Sequence, residues 1–193
     1  MTIFGRSARR LAPVALSLLL LLLLLAPATA VASPPRVGQP APAFRLRDRA
    51  GTLISLADLA YPGAARRSRP KHVVLLDFFR TDCKPCRASM HKLVALHKKL
   101  RARAVKVMLV ALLEDKQGER KLARYLSSAK LPFVVLVDRY GIAARAYVQE
   151  GRTISIPSLF LIDKRGVLRR RIRGRNDAAF AALRKEIAKL LAH

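Results

Sequence analysis

Two cysteines, Cys83 and Cys86, are the only cysteines of this 193-residue chain, and their spacing makes them the best candidates for chemistry. Two residues, Lys84 and Pro85, separate them. The pair lies where an apolar, strand-like segment is followed by a helical pattern. A pair this close cannot connect distant parts of a fold. The spacing instead suits a disulfide that opens and closes, with one thiolate at a helix N-terminus where partial positive charge favours the ionised form. Dithiol–disulfide exchange is therefore the first hypothesis.

The two cysteines are predicted to have different roles in such an exchange. Cys83 stands at the start of the predicted helix, on its more exposed side, and is the expected nucleophile. Cys86 lies one turn further along and is expected to resolve the mixed disulfide. Charged neighbours act on the pKa of Cys83 in opposite directions, since Asp82 raises it and the basic residues beside it lower it, namely Arg80, Lys84 and Arg87. An inert buried pair or a static disulfide is the alternative interpretation.

Asp77 interrupts an otherwise apolar segment, His72–Phe79, six residues before Cys83. An isolated buried carboxylate costs free energy and usually has a raised pKa. Asp77 is therefore a candidate functional group. A carboxylate that is satisfied by a nearby basic side chain is the alternative.

The N-terminus carries the pattern of a secretory signal. Three arginines within residues 6–10 precede a charge-free apolar stretch, Leu11–Ala32, that includes the Ala28-Thr29-Ala30 site. This pattern predicts a signal peptide over residues 1–30, cleaved near Val31. An uncleaved anchor is the alternative, because a helix of this length rises about 33 Å, enough to span hydrocarbon. In both cases the remainder is exported to a compartment that permits disulfides.

Residues 31–193 fit one domain with a sizeable core. The chain has 38 Lys and Arg against 12 Asp and Glu, a net charge of +26, and the predicted signal holds only three of the arginines. This charge favours an anionic membrane surface or acidic partners, whereas export argues against a specific nucleic-acid partner. The basic residues are scattered, so a solvated basic surface is the alternative.

Apolar patterning predicts strands that alternate with helices. The predicted strands are Phe44–Arg47, Leu53–Leu56, His72–Phe79, Val105–Leu113, Phe133–Asp138, Ser158–Asp163 and Val167–Arg173. Helical spacing links Cys86 with Met90, Leu93, Val94 and Leu100, then Leu122 with Tyr125, Leu126 and Ala129, and finally Phe180 with Leu183, Ile187, Leu190 and Leu191. Tyr61–Lys71 is predicted to be a loop. The order implies an α/β fold with a closing antiparallel hairpin.

Three segments carry a family resemblance. Val73–Phe79 followed by Cys83–Cys86 resembles the strand and active-site helix of the thioredoxin superfamily. Val37–Leu46, with Gly51 beyond it, is similar to the N-terminal extension of the redoxin branch, and Ser155–Asp163 resembles that branch's cis-proline strand. The segments occur in family order. The chain is therefore identified as a member of the exported TlpA/ResA-type thiol-disulfide oxidoreductases.

The resemblance implies an α/β, thioredoxin-like fold: a central mixed β-sheet flanked by helices, with an N-terminal redoxin-type strand extension. It also implies that Asp77 relays a proton to or from Cys86 during exchange. The redox-active Cys83–Cys86 disulfide would be the only redox group, with no separate cofactor.

The resemblance further implies a substrate site beside the cysteines. A cis Ile156–Pro157 bond would face them and leave the Ile156 backbone free to pair with an extended substrate segment. Lys84 and Pro85, between the cysteines, are the other expected contacts, and Pro85 would also shape the helix start. A strand-edge proline at position 157 is the alternative.

Departures from the family pattern shape the functional hypothesis. Most relatives have a tryptophan just before the first active-site cysteine, whereas this chain has Asp82 there and no Trp at all. The substrate surface near Cys83 is therefore expected to be more polar than in those relatives. A peroxidase, which the redoxin-like extension suggests, would need the Thr-x-x-Cys motif of peroxiredoxins. That motif is absent, because Thr81 lies two residues before Cys83 and five before Cys86.

The expected activity is disulfide exchange with the dithiols and disulfides of exported proteins. By resemblance, the chain is a reductant for a client such as an apocytochrome, with a membrane electron donor. The alternative is a metal carrier or binding module that holds copper or zinc at Cys83 and Cys86. His91 and His97 point in different directions on one helix and cannot jointly ligate an ion.

Overall fold

Seven strands and five helices follow one another in the computed structural model, which describes residues 34–63, 71–100, 104–148, 153–174 and 176–192. The strands are β1 (Arg45–Asp48), β2 (Leu53–Ser55), β3 (Val73–Phe79), β4 (Val105–Leu112), β5 (Val134–Asp138), β6 (Ser158–Ile162) and β7 (Leu168–Arg173). The helices are α1 (Leu56–Ala60), α2 (Lys84–Leu100), α3 (Lys116–Ala129), α4 (Ile142–Ala146) and α5 (Asp177–Ala192). These residues fall within one compact unit, Ala32–His193.

The strands form a single mixed sheet in the order β2-β1-β5-β4-β3-β6-β7. Strand β3 pairs in parallel with β4, and β4 in parallel with β5, while β6 is antiparallel to β3 and to β7. Because β3, β4 and β5 run in one direction, the loops that follow them meet at one edge of the sheet. The loop between β3 and α2, which ends at Cys83, lies at this edge, and Cys86 follows in the first turn of α2.

Two apolar cores cover the two faces of the sheet. One contains buried residues of α2, α3 and α5, and the other contains buried residues of α1 and α4. Alternation along β3 sends Val73, Leu75 and Phe79 to the α2 face, and Val74, Leu76 and Phe78 to the opposite face. Asp77 shares the parity of Leu75 and Phe79, so its side chain lies on the face covered by α2.

The N-terminal extension forms the hairpin β1–β2, and β1 adds it to β5. The segment before β1 is bonded to the β6–β7 hairpin, since the Ala41 N–H donates to the Gly166 carbonyl at 2.9 Å. Gly166 has a φ of +78°, and a Cβ there would lie 2.8 Å from the Tyr61 ring. Glycine is therefore required at this turn for both its conformation and its lack of a side chain.

The structure confirms the predicted strands to within about two residues and corrects three details. Two five-residue helices, α1 and α4, were not predicted, because so short an element carries no readable period. Helix α2 buries Leu96, whereas the predicted Val94 and Leu100 are only half-buried. Leu56 begins α1 and does not end β2.

The predicted signal peptide or anchor, residues 1–30, lies outside the described residues, as does most of the predicted Tyr61–Lys71 loop. Among the described residues, none of the helices combines the length and the apolar composition that a membrane span requires. The prediction of a cleaved signal therefore stays a prediction.

Candidate active site

Cys83 and Cys86 form a disulfide at the start of α2, with Cα atoms 5.3 Å apart. Cys83 directly precedes the helix and is half-buried, whereas Cys86 is 1% exposed. Cys83 is thus the more exposed cysteine, as predicted. Its sulfur is the one that a partner can approach, and Cys86 lies beneath it. Lys84 and Pro85 are both exposed on the outer side of the pair.

Two backbone amides of the first helical turn bond to Cys83, one of them to its sulfur. The Cys86 N–H donates to Cys83 Sγ at 3.1 Å, and the Arg87 N–H donates to the Cys83 carbonyl at 3.2 Å. An amide directed at the sulfur favours its ionised form, and the partial positive charge of a helix N-terminus acts in the same direction. In the reduced state the site is thus suited to a Cys83 thiolate.

Ion pairing reduces the effect of two of the predicted charged neighbours. Arg80 donates to Asp82 at 2.6 Å and also pairs with Glu114 from the loop after β4. The hydrogen bond from Arg80 lowers the pKa of the Asp82 carboxyl, and that same bond is the main cause of the raised pKa of Arg80. Because Arg80 and Asp82 compensate each other, their opposing influences on Cys83 largely cancel.

The remaining basic neighbours keep their charge at the site. Arg87 Nη1 donates to the Thr81 carbonyl at 2.5 Å, a neutral partner that leaves the guanidinium charge uncompensated. Within the described part of the chain, neither Lys84 nor Arg87 has a carboxylate partner. Positive charge that no carboxylate offsets in the described part of the chain therefore lies directly after each cysteine in the sequence.

Asp77 is 2% exposed in the middle of β3, opposite Leu109 of β4 and Leu159 of β6. Its Oδ1 has no hydrogen-bond partner among the described residues. Burial raises the pKa of Asp77 from 3.8 to about 8. None of the ion pairs found among the described residues joins a basic side chain to Asp77.

A small cavity of about 30 Å³ borders Asp77. Its walls include Ser89 and Leu93 of α2, three and seven residues after Cys86 and therefore on the same helix face. Ser89 Oγ donates to the Cys86 carbonyl at 2.9 Å. A cavity of this size holds one water molecule when polar groups line it. Such a water can carry a proton to or from Asp77.

Pro157 closes the cavity from the β6 side. The Ile156–Pro157 bond is cis, as predicted. The Pro157 carbonyl accepts from the Gly174 N–H at 2.8 Å, whereas no backbone hydrogen bond of Ile156 is found among the described residues. Ile156 and Cys83 pack, partly exposed, against the same core. Ile156 and Cys83 thus border one core, and the substrate role of the Ile156 backbone stays a prediction.

The structure adds residues that the sequence pattern did not indicate. Lys92 and Asp177 also line the Asp77 cavity, and Lys92 Nζ lies 2.5 Å from Asp177 Oδ1. They are 85 positions apart, so no local motif relates them.

Among the described residues no group of three or more His, Cys, Asp or Glu side chains could hold a metal ion. His91 is exposed, and the His97 ring packs against Phe133.

The chain is similar in sequence to known proteins. The chain matches the AhpC/TSA family over residues 37–171. It is 32% identical over 138 residues to the thiol-disulfide oxidoreductase ResA of Geobacillus kaustophilus, a match that covers 72% of this chain and 70% of that protein. It is 30% identical over 131 residues to the thioredoxin-like protein YneN of Bacillus subtilis, covering 68% of each chain.

A solved structure extends the match to three dimensions. A Chlorobium tepidum protein described as a thiol:disulfide interchange protein DsbE superposes with a TM-score of 0.67 and 27% identity, covering 81% of this chain and 99% of that one. The predicted thioredoxin-like fold is thereby confirmed. The family match spans more than half of the chain and includes the cysteine pair, Asp77 and Pro157. The chain therefore belongs to the AhpC/TSA family and is a ResA-type member of the thioredoxin superfamily.

Proposed function

We propose that this chain is a thiol-disulfide oxidoreductase that exchanges disulfides with the thiols of exported proteins through Cys83 and Cys86. The observation that carries the proposal is the placement of the pair: a half-buried Cys83 at a helix start is bonded to a buried Cys86, on the helix face that covers a buried carboxylate. The relative named thiol-disulfide oxidoreductase ResA supports the same activity. The redox-active pair is the only redox group that this chemistry needs.

In the reductive direction, the Cys83 thiolate attacks one sulfur of a client disulfide. The client S–S bond breaks, and the leaving sulfur takes up a proton to become a thiol. Cys86, once deprotonated, attacks Cys83 Sγ, which releases the second client sulfur as a thiolate and re-forms the Cys83–Cys86 disulfide. Two electrons pass from the pair to the client, and a separate dithiol donor must then reduce the pair again.

Asp77 supplies the base for the second step in this proposal. Its pKa of about 8 lies close to that of a thiol, so a proton moves between Cys86 and the carboxylate with little free-energy cost. The cavity provides room for a bridging water beside the Asp77 carboxyl and the Cys86 face of α2. Only deprotonated Asp77 accepts the proton, so the second step is expected to accelerate as the pH rises towards 8.

The client is bound in an extended conformation across the site. The Ile156 backbone, for which no hydrogen bond is found within the described ranges, can add a short strand segment by main-chain hydrogen bonds, which fixes the client disulfide against Cys83. Lys84 and Pro85 form the exposed rim that such a segment meets. Because Asp82 replaces the aromatic residue of most relatives, this rim is polar, and clients with polar groups beside their cysteines fit it best.

The proposed direction is reduction, and the proposed location is outside the cytosol. Both follow from the ResA resemblance and from the predicted signal, and together they require a membrane protein as the electron donor. The client class is an apocytochrome or another exported protein with a disulfide to be reduced.

The reduction potential of the Cys83–Cys86 pair tests this direction. We expect a value near that of thioredoxin, about −270 mV, and far from the roughly −120 mV of a strong oxidant. The measurement equilibrates the protein with glutathione or dithiothreitol buffers and quantifies the free thiols by alkylation. A potential above about −180 mV would overturn the reductant assignment and would indicate a disulfide donor.

An anionic membrane surface is the proposed second partner. The three acidic residues on α2, α3 and α5 are each in an ion pair: Asp177 with Lys92, Glu119 with Arg139, and Glu186 with Arg170. Many basic residues on the same helices are exposed and have no carboxylate partner among the described residues: Lys84, Arg87, Lys98, Lys99, Lys116, Arg120, Lys121, Arg124, Arg184, Lys185 and Lys189. The outer surface of this helical layer is thus strongly basic and complements anionic headgroups.

Co-sedimentation with vesicles tests this partner. Vesicles of phosphatidylcholine and phosphatidylglycerol are expected to bind the protein at low salt and to release it as salt rises. A variant in which Gln replaces Lys98, Arg124 and Lys185 is expected to bind about a hundredfold more weakly at low salt, because each basic residue near the membrane contributes about 1 kcal/mol. The matched control replaces exposed arginines outside these helices, namely Arg36, Arg145 and Arg165. Equal weakening in both variants would show that net charge alone, and not this face, determines binding.

A further inference from the structure

A four-residue turn, residues 80–83, carries the chain from the end of β3 to the cysteine pair. The Cys83 N–H donates to the Arg80 carbonyl at 3.3 Å, which closes the turn. This bond is longer than the usual range of about 2.7–3.2 Å, so the backbone alone holds the turn weakly. Side-chain bonds therefore decide how firmly Cys83 is placed.

The Arg80 guanidinium makes bonds on both sides of this turn. Its Nε donates to Asp82 Oδ1 at 3.0 Å and its Nη2 donates to Asp82 Oδ2 at 2.6 Å, so two parallel bonds span the turn. Its Nη1 donates to Glu114 Oε1, which belongs to the loop after β4. A bidentate arginine–carboxylate pair fixes geometry more closely than a single bond does. One planar group thus ties the turn to itself and to the neighbouring loop.

A second arginine bonds to the same turn from α2. Arg87 Nη1 donates to the Thr81 carbonyl at 2.5 Å, and the Arg87 N–H donates to the Cys83 carbonyl at 3.2 Å. Arg87 connects the turn only to the helix that follows it. Among the described residues that bond to this turn, Arg80 is the one whose side chain connects it to a different strand and loop.

We propose that Arg80 is a positioning residue for the nucleophile: its guanidinium fixes the turn that ends at Cys83 and so holds the Cys83 sulfur where it meets Cys86. The bonds of Arg80 are those of the chain with its disulfide formed. Without them Cys83 samples more positions, and the effective concentration of one sulfur at the other falls. The effect on the cysteine pair does not rest on the proposed function, but its consequence for clients does.

Charge and shape can be separated at this position. Arg80→Lys keeps one positive charge, but an ammonium lacks the planar fork that holds one carboxylate by two bonds and reaches a second. Arg80→Met removes the charge and the fork together and keeps a flexible, unbranched side chain. If Arg80 acts through position, both variants weaken the disulfide. If only its charge matters, Arg80→Lys behaves as the wild type.

The reduction potential of the cysteine pair measures this effect without a client. Each variant is equilibrated with glutathione buffers, and its free thiols are quantified by alkylation. A disulfide weakened about tenfold raises the potential by about 30 mV, and we expect this rise in Arg80→Met and Arg80→Lys. Circular dichroism verifies that the variants are folded.

Two further variants keep the test sharp. Glu114→Ala removes only the bond to the loop after β4 and leaves the Arg80–Asp82 pair, so a smaller rise in the same direction is expected. The Glu114 side chain is 68% exposed, so this variant serves as the test if Arg80→Met does not fold. The matched control is Arg139→Met, which makes the same change in net charge at an arginine that pairs with Glu119 and lies in the loop after β5.

A higher potential in both Arg80 variants and in Glu114→Ala, with no change in Arg139→Met, is the expected result. A wild-type or lower potential in either Arg80 variant would overturn the inference, and so would an equal rise in Arg139→Met. Insulin reduction by the wild type separates this inference from the proposed function. If the wild type does not reduce insulin while the potentials move as expected, the proposed function fails and the positioning role of Arg80 stands.

Discussion

Replacing Cys83 with serine is expected to abolish catalysis of insulin reduction by dithiothreitol, leaving only the uncatalysed rate. The thiolate is the attacking species in disulfide exchange, and a serine hydroxyl neither ionises near neutral pH nor forms a disulfide. The fold should be little affected, because Cys83 is half-buried at the helix start and serine also accepts hydrogen bonds from first-turn amides. The measurement is insulin turbidity, with circular dichroism to verify the fold.

Cys86→Ser is the matched control, because it removes the other sulfur of the same disulfide. Cys83 then remains able to attack a client, but no second thiol resolves the complex. The variant should lose turnover and accumulate a mixed disulfide with insulin or another client, which mass spectrometry detects. Full activity in Cys83→Ser would reject Cys83 as the nucleophile. Trapping by Cys83→Ser in place of Cys86→Ser would reverse the two roles.

Asp77→Asn is expected to stabilise the fold while it slows the enzyme. In the unfolded chain Asp77 ionises near its ordinary pKa of 3.8, whereas burial raises the folded value to about 8. Between these values the folded state binds one more proton than the unfolded state, so the free energy of unfolding falls as pH rises. The full stability is present below about pH 4 and is lost progressively as pH rises through the folded pKa.

The size of this effect follows from about 1.4 kcal/mol for each pH unit of difference. Asparagine is nearly isosteric and stays neutral, so its advantage over Asp77 should be small near pH 4 and about 2–4 kcal/mol near pH 7. Urea unfolding at a series of pH values measures it. A gain that does not change between pH 4 and pH 7 would show that ionisation of Asp77 is not its cause.

Asp138→Asn provides the control for this stability prediction. Asp138 is also a buried carboxylate, but it accepts hydrogen bonds from the Ile142 and Ala144 N–H groups, both at 2.8 Å. Asparagine can accept only one of these bonds without exposing its own N–H₂ to the other donor, so Asp138→Asn should destabilise the fold by about 1–3 kcal/mol. Opposite signs for two buried acids would tie the gain at Asp77 to its missing partner.

The catalytic cost of Asp77→Asn should appear in the second step of exchange. Loss of a positioned base typically lowers a rate by about a hundredfold or more, so the mixed disulfide should persist long enough to be isolated. Attack by Cys83 on the client should be nearly unaffected. Stopped-flow measurement of single-turnover exchange separates the two steps. If Asp77→Asn releases its client as fast as the wild type, Asp77 is not the base.

The elements and the cysteine pair were predictable from the sequence because their signals are local. Continuous apolar runs such as Val73–Phe79 predict strands covered on both faces, and helical spacing after Cys86 predicts the helix that carries the site. The cis Ile156–Pro157 bond and the N-terminal strand extension were predicted by family resemblance, since each is attached to a short recognisable motif. Helices α1 and α4 escaped prediction because five residues are too few to show a period.

The charge balance at the site was decided only by the tertiary structure. Glu114 meets Arg80 from a different loop, and Asp177 meets Lys92 from the last helix, 34 and 85 positions away along the chain. The sequence indicated that Asp77 is buried but not that it lacks a partner. Electrostatic effects depend on distances in space, which only the packing of α2 and α5 on β3 establishes. Residue types and their local order therefore determined which chemistry is possible here, and the folded arrangement determined the pKa values and partners that direct it.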